Sequence, residues 1–225
     1  MAQAPNLLND DGTASMATAI MLSHHAFRRD LARFERALER VKQGDSSRVE
    51  ALQTEWKNFH ATLHGHHQAE DTGIFPGMLA QHESVRATVA KLVADHRRID
   101  PLLEQGDVAF GALPQTDAAS AVVRELIELL TPHLATEEAE IIPFMREMKQ
   151  FPPPPDDEAA DMYAQGFSWA MQGIAPDVLD KLHVMLPQDL IDRLPAARKA
   201  FDERCERVWG TIKPGASRTP IPDPL

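Results

Sequence analysis

The chain has 225 residues and a formal net charge of −11, with 34 acidic against 23 basic side chains. That length buries a sizeable core, and the acidic balance argues against a nucleic-acid footprint or an anionic membrane surface. The apolar runs are short and broken by charge, so none spans a bilayer. Residues 1–15 lack the basic and apolar regions of a secretory signal, and Cys205 is the single cysteine, which rules out an internal disulfide. A reducing cytoplasm is the expected address.

Residues 1–15 read as a flexible tail. Helical periodicity then runs over 16–43, with Ile20, His24, Phe27, Leu31, Phe34, Leu38 and Val41 on one stripe. Gly44, Asp45 and Ser46 end that helix. A second helix is expected over 47–71, with Leu52, Trp56, Phe59, Leu63, His66 and Glu70 in phase; Gly73 and Pro76 mark its break or end. The third, over 83–105, carries Val85, Val89, Leu92, His96, Ile99 and Leu103, and Pro101 is expected to kink or shorten it. A loop over 106–116 follows. The fourth helix, over 117–149, places Leu126, Leu130, His133, Glu137 and Ile141 on its stripe, with Pro132 and Pro143 as disturbances. Four consecutive prolines, Pro152 to Pro155, make a stiff spacer. Beyond it, helices are expected over 157–172, 176–186, 188–194 and 195–209, and the proline-rich residues 211–225 are expected to be disordered.

The two halves superimpose. Phe59, Leu63, His66, Glu70, Ile74 and Pro76 correspond to Leu126, Leu130, His133, Glu137, Ile141 and Pro143. His24, Phe27 and Leu31 likewise correspond to His96, Ile99 and Leu103. Each half is a helix with one inward His, followed by a helix with His-x-x-x-Glu. The expected fold is an all-α, up-down-up-down four-helix bundle over 16–150 with a C-terminal helical extension over 151–210.

A His and a Glu four residues apart share one helix face. Stripe and repeat together select six candidate metal ligands: His24, His66, Glu70, His96, His133 and Glu137. Imidazole with carboxylate suits iron, manganese or zinc, and such groups are costly in a core without a partner. Neighbours compete. His60, His64, His67 and Asp71 form a second stripe, offset by one residue, and suit support behind the ligands or a solvent-facing rim. His64 and His67 are the best candidates for an extra ligand or proton-transfer group. Glu138 lies where it could replace or join Glu137, and His25 faces the side of Arg28 and Arg29. Asp100 follows His96 by four residues.

The segments His24-x-x-Phe27-Arg28-Arg29, Leu63 to Pro76, Asp95-His96 and His133 to Pro143 together resemble the hemerythrin-like, or HHE cation-binding, family. The resemblance covers about 16–148. It implies a bundle holding two non-haem iron ions with oxo or hydroxo and carboxylate bridges, with manganese or zinc as alternative metals. It also implies that Glu70 and Glu137 bridge while His24, His66, His96 and His133 cap. The pattern departs from the oxygen-carrying hemerythrins, whose third helix supplies His-x-x-x-His, because Asp100 stands where the second of those histidines would be. It looks closer to bacterial hemerythrin-like proteins with a duplicated His-x-x-x-Glu, including the iron-centre repair proteins. No cysteine-bearing domain precedes the bundle in this sequence, which counts against a repair role.

The resemblance implies a small diatomic or peroxide-type ligand, and three functions remain open. The first is a di-iron protein that binds or senses oxygen, nitric oxide or peroxide. The second is a di-iron redox enzyme turning over peroxide or nitric oxide, or repairing iron centres. The third is a structural metal or interaction module, with a protein partner or a second copy engaged through 156–210.

Overall fold

The computed structural model describes residues 6–212 and is helical, with no strand among the described residues. Its elements are α1 (Met16–Lys42), α2 (Val49–Ala69), α3 (Phe75–Gln81), α4 (Arg86–Gly111), α5 (Asp117–Glu140), α6 (Asp157–Ala170), α7 (Pro176–Met185) and α8 (Gln188–Trp209). A π-turn at Glu70–Ile74 joins α2 to α3, and 3-10 turns stand at Glu83–Val85 and Ile142–Met145. By contacts the described chain forms two compact units. One comprises residues 6–29 and 142–210, the other 30–141 with 211 and 212.

Several boundaries differ from the sequence expectation, each for a local reason. The helix carrying His66 does not break at Gly73; it widens into the π-turn and continues as α3, with Pro76 in the first turn of that helix, where a missing N–H costs nothing. α4 runs through Pro101 and on past Gly106 to Gly111, so most of the expected loop is helix. Its last turns are held by burial of Leu102, Leu103, Ala109 and Phe110. α5 likewise runs through Pro132 but stops at Glu140, nine residues early, where Pro143 forces a 3-10 turn. α8 is a single helix through Pro195 rather than two. A proline in a helix interior costs ~3 kcal/mol, here offset by burial of Leu190, Leu194, Phe201 and Val208 along the same helix.

In the unit of residues 30–141, α4 packs between α2 and α5. Its apolar anchor is an aromatic cluster. Trp56 stacks on Phe110 with ring centres 4.4 Å apart, and Phe34 meets Trp56, Phe59 and Phe110 edge-on at 5.6, 5.7 and 5.2 Å. The indole lies flat on Gly106: a Cβ there would sit 1.9 Å from Trp56 Cζ2. Only glycine admits that approach. Trp56 Nε1 donates to Asp107 Oδ1 at 3.0 Å, so the buried ring keeps its one polar atom bonded.

In the other unit, α6 packs along α8. Asp156 caps α6 by accepting from the Ala159 N–H at 2.8 Å. Arg29 donates to the carbonyls of Trp169 (2.9 Å) and Gln172 (3.2 Å), satisfying groups that the helix end leaves over. Phe27 packs edge-on against the Trp169 ring at 4.9 Å. Arg193 of α8 gathers Asp157 (2.5 Å), Asp161 (2.6 Å) and Asp189 (3.3 Å). Residues 6–15, read from sequence as a tail, carry bonds of their own: Asn9 Nδ2 donates to the Arg146 carbonyl, and Arg146 donates to the carbonyls of Leu8 and Asn6. The expectation of disorder over 211–225 falls, from 213 onward, outside the described residues.

Candidate metal centre

Leu63 is fully buried, and histidine follows it at both the third and the fourth position. Both positions lie on the face of residue 63. The stripe places His66 inward, with His67 as support or an extra ligand. In the structure His67 is the more deeply buried, 1% exposed, and His66 is half-buried. The π-turn begins three residues later and carries Glu70 inward. Such single widened turns recur at functional positions because they re-aim a side chain without ending the helix. Glu70 Oε1 then stands 3.0 Å from His66 Nε2.

α4 adds His96 and α5 adds His133 and Glu137, all buried. Ligand atoms of Glu70, His96, His133 and Glu137 lie within 4.8 Å of one another, and so do those of His67, His96 and His133. His96 Nε2 is 3.3 Å from His133 Nε2 and 3.5 Å from Glu70 Oε2; His133 Nε2 is 3.7 Å from Glu137 Oε2. The His67 ring stacks on His96 at 4.1 Å. Its Nε2 is buried and has no hydrogen-bond partner.

Behind each of these three rings stands an aspartate. Asp71 Oδ1 lies 2.9 Å from His96 Nδ1, Asp100 Oδ1 lies 3.5 Å from His67 Nδ1, and Asp95 Oδ2 lies 3.7 Å from His133 Nδ1. At 2.9 Å the Asp71 carboxylate can only accept, so it holds the proton of His96 on Nδ1 and turns that ring's Nε2 lone pair inward. Asp100 and Asp95 stand farther from their rings, at 3.5 and 3.7 Å, and orient them by charge. Burial, and then the neighbouring rings of His96, His66, His133 and His64, hold His67 well below the usual imidazole range. The ring is therefore neutral and available as a donor.

The Nε2 atoms of His96 and His133 face each other across 3.3 Å, beside the buried Nε2 of His67. A cation at this point would have donors from His96, His133 and His67 within reach. The donor set of three imidazoles and two carboxylates is the one expected for a first-row divalent metal.

The remaining candidates fall as follows. His24 is fully buried in α1, within the unit of residues 6–29 and 142–210, and His25 beside it is also buried. Glu138 is buried. His60 and His64 stand part-exposed on α2 against aspartates of α4. Asp100, four residues after His96, faces His67 and His64. The supporting roles of Asp71, Asp95 and Asp100 carry one signal in the sequence, an acidic residue placed one or four positions from a candidate ligand.

The hemerythrin HHE cation-binding domain model matches residues 15–145, more than half of the 225-residue chain. The chain belongs to the hemerythrin HHE cation-binding family. No curated protein and no solved structure matches it. Family and geometry together define a helical metal-binding domain. Among the described residues no helix is long and apolar enough to cross a membrane.

Proposed function

We propose that the domain holds two iron ions and uses them to bind or react with a small ligand of the oxygen, nitric oxide or peroxide class. The observation that carries this reading is the pair of carboxylate-backed imidazoles whose Nε2 atoms face each other at 3.3 Å. His67, His96 and His133 are the donors proposed for one ion. His66 is the donor proposed for the other. Glu70 and Glu137 stand between the two sets.

When bound, the iron pair would supply the electrons for chemistry on the small ligand. The chain's own residues do the rest. Asp71, Asp95 and Asp100 keep the rings oriented. The buried stripe around them, Leu63, Leu92, Ile99, Leu126 and Leu130, excludes water from the donors. His67 supplies the nitrogen that Asp100 cannot. The repeat has no equivalent of it, because the matching position in α5 is the buried Leu134. Two ions would therefore be served unequally, with His67, His96 and His133 offered to one and fewer imidazoles on the side of His66.

The test is optical. Reduced, iron-loaded protein is prepared without oxygen and then exposed to oxygen or nitric oxide. The proposal predicts a new bridged di-ferric absorption with oxygen and a nitrosyl spectrum with nitric oxide. Unchanged spectra with both gases would reject it. Continued consumption of peroxide or nitric oxide beyond one equivalent marks turnover; a single stoichiometric reaction marks binding or sensing.

A further inference from the structure

One group of histidines is left outside the buried centre. His60 and His64 are one turn apart on α2, with ring centres 6.3 Å apart. Their side chains are 24% and 41% exposed. Each ring presents Nδ1 to a carboxylate of α4. His60 Nδ1 lies 3.0 and 3.1 Å from the two oxygens of Asp107, and His64 Nδ1 lies 3.4 Å from Asp100 Oδ2. Asp100 and Asp107 are two helical turns apart, so they share one face of α4. Asp107 is itself fixed by the N–H of the fully buried Trp56.

We propose that His60 and His64 form a second, exposed metal site for a borderline divalent cation of the zinc and copper class. Two imidazoles at positions i and i+4 chelate a single ion on a helix surface. The aspartates do for these rings what Asp71 does for His96. They hold the proton on Nδ1, leave the outer Nε2 as donor, and strengthen it. Water completes the coordination, so the ion exchanges freely. Imidazole donors without thiolates select this cation class, with affinity rising toward copper(II).

The site is coupled to the interior through one residue. Asp100 contacts His64 with Oδ2 and His67 with Oδ1, at 3.4 and 3.5 Å. A cation held by the outer pair is therefore linked to the buried His67 through the His64 ring and the Asp100 carboxylate. The inference does not rest on the buried pair being iron.

The probe is Zn²⁺, titrated in competition with a chromophoric chelator on the full chain. Wild-type protein is compared with His60→Gln/His64→Gln, and the site is counted as the difference between them, whatever the buried cluster holds. The proposal predicts one zinc equivalent more in wild type than in the double variant. Each single Gln variant weakens that equivalent at least tenfold. Asp107→Asn, which keeps an acceptor for Trp56, weakens it about 10- to 100-fold. Far-UV dichroism and thermal midpoint, recorded for every variant, verify folding; the Asn variant supplies an independent reading if the Gln pair unfolds. Equal zinc uptake and affinity in wild type and the double variant would overturn the proposal. So would an unchanged affinity in Asp107→Asn.

Discussion

His96 and His133 approach each other through their Nε2 atoms, at 3.3 Å, with an aspartate behind each ring. This is a poor arrangement for a core and a good one for a chelate. Replacing His133 by Leu should therefore separate function from stability. Metal uptake falls, while the metal-free protein stays as stable as wild type or gains up to ~2 kcal/mol. Elemental analysis and urea denaturation of the metal-free form read the two effects. Full metal content in His133→Leu would count against the chelate.

The 2.9 Å contact from Asp71 to His96 is the tightest of the supporting bonds. Asp71→Asn keeps the shape and removes the charge. Its metal affinity should fall about 10- to 100-fold, measured by chelator competition, with little change in helix content. An affinity within twofold of wild type would show that Asp71 only closes the surface.

His67 and His64 are one turn apart but differ in depth, 2% against 41% side-chain exposure. If His67 is a donor, His67→Leu loses metal from the buried centre under a chelator challenge and His64→Leu retains it. Equal retention in the two variants would return His67 to a packing role.

Gly106 and Trp56 are matched in the same way as a ring and its seat. Gly106→Ala brings a methyl within 1.9 Å of the indole. Overpacking of this kind costs ~1–3 kcal/mol, seen as a lower urea midpoint and a shifted tryptophan emission. Combining it with Trp56→Phe should recover part of the loss, because the two positions are coupled. A fully additive pair would contradict the contact.

Much of this was legible in the residues. The stripe arithmetic and the internal repeat led to an all-helical chain and to Glu70, His96, His133 and Glu137, because a core face imposes strict spacing on its polar exceptions. What was not legible had a local cause. The π-turn at Glu70 to Ile74 has no signature in the residues, and spacing alone did not rank His66 against His67, since both follow Leu63 by about one turn. Pro195 suggested a boundary that did not occur, and Pro101 did not shorten its helix, since burial on the surrounding turns outweighs the missing hydrogen bond. The aspartate behind each ring depends on how α2, α4 and α5 face one another, and a single sequence does not state that.

The central claim is the metal pair, and iron counting tests it most directly. Protein purified without oxygen and reconstituted with ferrous iron should retain two iron ions per chain after desalting, and fewer in His96→Ala and Glu137→Ala. Retention of no iron, or the same iron content in wild type and both variants, would contradict it.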